Sequence, residues 1–132
     1  MLMEKTSRQK WNEQISSYRK QCQEILALSK SIRYTGLINE YGRTLTGVLR
    51  PGLATLLPDE AARNEFFLVS TLLSMRKRSN SALGEMDYII FRHDKVTLIV
   101  FQRKTGYYYI SINKNVTSSS LNQIIAKIKK LI

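Results

Sequence analysis

Along the first thirty residues, Trp11, Ile15, Tyr18, Cys22, Ile25 and Leu26 recur at steps of three and four, with polar residues filling most of the gaps. That spacing places them on one face of a helix and predicts a helix from about Ser7 to Ser29. Thr6 or Ser7 supplies an oxygen to cap its start. Residues 32–38 and 43–49 then read as extended segments on either side of Asn39-Glu40-Tyr41-Gly42. Gly42 tolerates the positive φ that closes a tight turn, so the stretch reads as a hairpin. Arg50-Pro51-Gly52 ends the second strand, because proline cannot continue a ladder. The glycines of GLINEYGRTLTG match neither the GxGxxG spacing nor a P-loop with its lysine, so a turn is favoured over a ligand loop.

Pro58-Asp59-Glu60 has the chemistry of a helix start: proline suits the first turn, and two acids complement the positive end of the dipole. The helix is predicted to reach about Lys77. Its centre, FFLVSTLLSM between Glu65 and Arg76, runs ten residues without a charge. At ~100° per residue, Phe66, Leu68, Val69, Leu72, Leu73 and Met75 form the main apolar arc. Phe67, Ser70, Thr71 and Ser74 fall on the other side. A helix with its back in water would carry charges there, and this one carries small polar groups and a phenylalanine. Both sides are therefore expected to be covered, the outer one by a second subunit meeting Phe67, Ser70, Thr71 and Ser74. Arg76, Lys77 and Arg78 close the helix, where cations complement the dipole; a contact with an anion or an acidic partner is their alternative role.

Three segments rich in β-branched and aromatic residues follow: 86–93, 96–102 and 107–113. The turns between them are short, so the strands form an antiparallel meander. The nearly continuous apolar runs YIIF and VTLIVF predict a sheet covered on both faces. Alternation puts Tyr108 with Ile110 and Ile112 on one face, and Tyr107 with Tyr109 on the other. A last helix follows Ser118-Ser119-Ser120, which read as its cap. Leu121, Ile124, Ile125, Ile128 and Leu131 form its stripe, and Lys127, Lys129 and Lys130 its wet face.

Composition narrows the function. The length of 132 residues suits one domain, 1–132, able to bury a core without disulfides or structural metals. Cys22 is the only cysteine and lies on an apolar stripe; His93 is the only histidine and falls in a turn beside Asp94. Glu40, Glu65, Glu85 and Asp87 have no paired-carboxylate or ligand spacing. No catalytic residue, cofactor or metal site is expected. The N-terminus lacks the apolar core of a secretory signal, and no segment is long and apolar enough for a membrane helix, so a soluble cytoplasmic protein is expected. The chain is basic, with 21 Lys and Arg against 10 Asp and Glu. The excess is spread along the sequence, which makes any nucleic-acid binding weak and driven by counterion release.

The succession α-β-β-α-β-β-β-α resembles the roadblock/dynein light chain family, within the profilin-like and longin-like group, over nearly the whole chain. Asn39–Gly42 stands where that family has the turn of its first hairpin. The stretches INEYGRTLTG, RPGL and NEFF also resemble a small uncharacterised family of archaeal proteins, which implies no activity. The roadblock resemblance implies an α+β fold: a five-stranded antiparallel sheet, the middle helix on one face and the terminal helices on the other. It implies dimerisation through the middle helix and the neighbouring third strand, and a scaffold or interaction role that can extend to regulating a small GTPase. The alternatives are a small-molecule sensor of profilin or PAS-like architecture, with tyrosines lining a pocket, and nucleic-acid binding through tyrosines and basic helices.

Overall fold

The structure, a computed structural model, describes residues 3–132. Its elements are α1 (Ser7–Leu26), β1 (Ile32–Ile38), β2 (Thr44–Leu49), α2 (Asp59–Arg76), α3 (Asn80–Leu83), β3 (Tyr88–Arg92), β4 (Val96–Arg103), β5 (Gly106–Asn113) and α4 (Ser118–Leu131), with a short 3-10 turn at Lys77–Ser79 leading into α3. The five strands form one antiparallel sheet in the order β2-β1-β5-β4-β3. α1 and α4 pack on one face with Leu37, Ile99, Phe101, Tyr108, Ile110 and Ile112. Phe66, Val69 and Leu73 of α2 pack on the other with Ile38, Leu98, Val100, Tyr107 and Tyr109. Strand alternation explains this division, since successive residues of β4 and β5 point to opposite layers. The α+β order and layering match what the sequence predicts; the 3-10 turn and α3 were not foreseen.

Local chemistry sets the helix ends. Thr6 and Gln9 form a reciprocal capping box at the start of α1. The helix stops at Leu26, three residues before the expected end. There the Arg50 guanidinium donates to the carbonyls of Leu26 (2.6 Å), Ser29 (2.8 Å) and Ile32 (2.7 Å), satisfying groups that a helix end leaves open. The cap of α4 is Thr117, whose Oγ1 accepts from the Ser120 amide at 3.1 Å. The three serines expected to cap that helix form its first turn instead.

The hairpin turn is built on Asn39. Its Oδ1 accepts from the amides of Tyr41 (2.9 Å) and Arg43 (3.0 Å), and Gly42 takes φ +83°. The tip rests on α2: a side chain at Gly42 would strike the backbone of Phe66 and Phe67. Gly36 and Gly47 have a different cause. They face each other across β1 and β2, and the Tyr34 ring lies over both, so that a Cβ at either would run into it. Replacing Gly47 by valine is therefore expected to cost about 1–3 kcal/mol by overpacking. In a Tyr34→Ala background the same change should cost much less, as read from denaturant unfolding of all four proteins in a double-mutant cycle.

Candidate protein-interaction surface

The consecutive tyrosines of β5 determine how α2 sits. Tyr107, Tyr108 and Tyr109 are all buried, with 107 and 109 under α2 and 108 under α1 and α4, as alternation requires. A buried phenol needs a partner for its hydroxyl, and each finds one on a helix. Tyr107 shares a 3.0 Å hydrogen bond with Ser74. Tyr109 donates to Glu65 at 3.0 Å. Tyr108 donates to Gln21, whose Nε2 donates on to the Leu131 carbonyl of α4 at 2.9 Å. Burial raises the pKa of all three that show a shift: Tyr34 to about 12, Tyr108 upward, and Tyr109 upward with Glu65 adding to the effect of burial.

These bonds roll α2 so that Glu65 and Ser74 turn toward the sheet. Ser70 comes with them. It is 1% exposed and donates to the Phe67 carbonyl at 3.0 Å, a bond within the helix that lets a small residue sit against the sheet. The expected outer placement of Ser70 and Ser74 is thus corrected: Ser70 is buried and Ser74 half-buried. Phe67 and Thr71 are exposed, as expected. Periodicity puts Leu68, Leu72 and Met75 in the buried arc, and here the structure differs. Leu68 is 63% exposed, Met75 58%, Phe67 58% and Leu72 40%. Together they form an apolar outward stripe on α2. The signal available in the sequence was the tyrosine triplet itself, whose hydroxyls require polar residues from the overlying helix.

Beside this stripe runs β3. It pairs only with β4, so its other edge is open. Ile89 and Phe91 are half-buried toward α2, while Tyr88 and Ile90 lie partly exposed on the opposite face. Asp87, just before β3, holds Arg103 at 2.8 Å and Lys129 at 2.6 Å. The Lys129 and Arg103 bonds keep its carboxyl below the usual carboxylate range. They tie α4 to the meander, so Lys129 is a paired residue and not a free one on a wet face.

Charge segregates in the fold, although it is spread in the sequence. The terminal-helix layer, residues 3–30 and 114–132, has ten Lys and Arg against three Glu. The α2 segment, residues 58–85, has four of each. Arg76, Lys77 and Arg78 sit exposed at the C-terminal end of α2; none makes an ion pair among the described residues, and Lys77 lies 5.7 Å from the Tyr107 ring centroid. Cys22 is buried in the core, and burial pushes its thiol up to about 11. His93 is exposed in the β3–β4 turn. With all three tyrosines of β5 buried, these rings offer no stacking platform for nucleotide bases. No described helix is long and apolar enough to cross a membrane.

The same architecture is found in solved structures. A gliding protein MglB from Thermus thermophilus superposes with a TM-score of 0.68 at 14% identity, over 98% of this chain and 91% of that one. The Roadblock/LC7 fold is the fold of this chain. A Roadblock/LC7 domain from Streptomyces avermitilis is similar at TM-score 0.61 and 13% identity, covering 85% of this chain and 91% of that one. MglC from Myxococcus xanthus is similar at 0.55 and 11%, covering 87% and 96%. No protein-family model and no curated protein matches the sequence.

The burial of these phenols implies an alkaline signature. Phenols whose folded pKa is raised contribute stability that is full below the unfolded value near 10 and is lost as pH rises through the folded value. In a spectroscopic titration at the tyrosinate band, Tyr34, Tyr108 and Tyr109 should ionise late, with Tyr34 near 12, and together with loss of structure. Ionisation of these three near pH 10 with the fold intact would count against this packing.

Proposed function

We propose that this chain is a non-enzymatic interaction module of roadblock type. It pairs with a second copy through the outward stripe of α2 and the open edge of β3, and presents the paired surface to a protein partner. The observation that carries the reading is the set Phe67, Leu68, Leu72 and Met75, large apolar side chains exposed side by side on a regular helix. Scattered apolar residues on a surface are ordinary, whereas a contiguous patch marks an interaction site.

The energetics support a homotypic contact. Each such side chain contributes about 1.5–3 kcal/mol when fully buried, and a two-fold interface counts each of them twice. That total is on the scale of the about 4–15 kcal/mol lost in association. The α2 segment has no net charge, so two copies meet there without the repulsion that the basic terminal-helix layer would impose. Regulation of a small GTPase is the role that the roadblock resemblance suggests for the assembled surface. Arg76, Lys77 and Arg78, at the end of the same helix, are the proposed contacts for an anion or an acidic face of that partner.

The test is light scattering after size exclusion. The wild type should elute as a dimer at tens of micromolar, roughly the range in which a ~1 μM complex is mostly assembled. Leu68→Glu and Leu72→Glu should give folded monomers, because each puts a charge into the interface of the dimer but into water in the monomer. Ser70→Arg should unfold the protein by forcing a long cation under the helix, and not produce a clean monomer. A monomeric wild type defeats the pairing. A dimer indifferent to both glutamate substitutions moves the contact to another surface.

A further inference from the structure

The helix α2 crosses only part of its sheet face, and the rest of that face is the floor of a cleft. Register across four strands shows where the cover stops. Gly47, Gly36, Tyr109 and Val100 form one row, and Tyr109 in that row is bonded to α2. The next row is Leu49, Tyr34, Ser111 and Leu98, and it lines an opening of about 870 Å³. Leu56 and Leu57 of the β2–α2 loop, Ala62 and Phe66 of α2, and the His93–Lys95 turn wall it. The volume lies in the range of small-molecule sites, about 300–1,000 Å³.

Two features of the floor point to a ligand. Ser111 is a small residue between the larger Tyr34 and Leu98, so it makes the deepest point of its row. It is 8% exposed, and its hydroxyl has no hydrogen-bond partner among the described residues. That hydroxyl opens into the cleft, where water or the polar group of a ligand can bond to it. The second feature is aromatic. Tyr34 and Phe66 hold nearly parallel rings, 15° apart with centroids at 6.5 Å, and Tyr109 stands edge-on to Phe66 at 4.9 Å. Such faces favour a flat ring as guest. The charges that line the cleft balance: Arg33, Arg63 and Lys95 stand against Asp59, Glu65 and Asp94.

We propose that this cleft is a binding site for a flat, uncharged aromatic or heteroaromatic molecule that carries one hydrogen-bonding group. The ring lies against Tyr34 and Phe66, and the polar group meets the Ser111 hydroxyl. The site is separate from the outward stripe of α2, so it stands whether or not the chain pairs through that stripe.

The probe is 2-naphthol, followed by calorimetry and by amide chemical shifts, with naphthalene as the partner lacking a hydroxyl. The wild type should bind 2-naphthol saturably at one site per chain, with shifts centred on residues 34, 66 and 111. Ser111→Leu fills the hollow and should weaken binding at least about tenfold, a loss of roughly 1.4 kcal/mol, while the far-ultraviolet spectrum and cooperative unfolding persist. Leu57→Glu changes only the half-exposed wall and should weaken binding comparably, which provides a second reading if Ser111→Leu folds poorly. Ser111→Ala should lower affinity for 2-naphthol severalfold and leave naphthalene unchanged. Leu68→Glu should leave both affinities unaltered. Binding that survives Ser111→Leu and Leu57→Glu, binding that Leu68→Glu abolishes, or no saturable binding at all would each overturn the proposal.

Discussion

Three phenol hydroxyls in the middle of the sheet have to be hydrogen-bonded, and the positions of the helices follow from that requirement. Tyr107, Tyr108 and Tyr109 occupy the central strand and are almost wholly buried. Leaving a buried donor unpaired costs about 1–3 kcal/mol, so two helices offer polar residues inward: Gln21 from α1, and Glu65 and Ser74 from α2. The apolar residues around them supply most of the stabilisation, but they are nondirectional. The hydroxyl bonds are what distinguish one roll of α2 from another.

Both surfaces of interest follow from that roll. Turning Glu65, Ser70 and Ser74 toward the sheet turns Leu68, Leu72 and Met75 away from it. The helix thereby gains a small-residue contact inside and an apolar stripe outside, beside the open edge of β3. The bond from Glu65 to Tyr109 also holds the N-terminal half of α2 over one row of the sheet, and the row of Tyr34 and Ser111 beyond it lines the cleft. Tyr34 can lie flat there because Gly36 and Gly47 beneath it have no side chains. The glycines of the first hairpin thus divide into one that turns the chain and two that seat a ring.

The strands, their pairing and the layer order were legible from periodicity, because alternation and short turns leave few arrangements of this meander. The hairpin at Asn39–Gly42 was legible for the same reason. Which side of α2 faces the sheet was not. In a run without charges, hydrophobicity alone ranks Leu68 and Leu72 above Ser70 as buried residues, and that ranking fails when the opposing surface carries hydroxyls. The cleft was hidden as well, since it depends on where α2 begins and on register across β2, β1, β5 and β4. Nor could a count along the chain show that the positive charge gathers on the terminal helices, whose two contributing segments lie at opposite ends of the sequence.

The direct test of the α2 roll is thiol accessibility in the native state. Single cysteines are placed at Leu68 or Ser70 in a Cys22→Ala background and labelled with a maleimide over a range of protein concentrations. The account predicts that a thiol at 68 reacts readily and faster on dilution, as copies separate, while a thiol at 70 reacts slowly at every concentration and only as fast as the protein unfolds. Rapid labelling at 70 with protection at 68 in dilute protein would show α2 rolled the other way and would contradict the account.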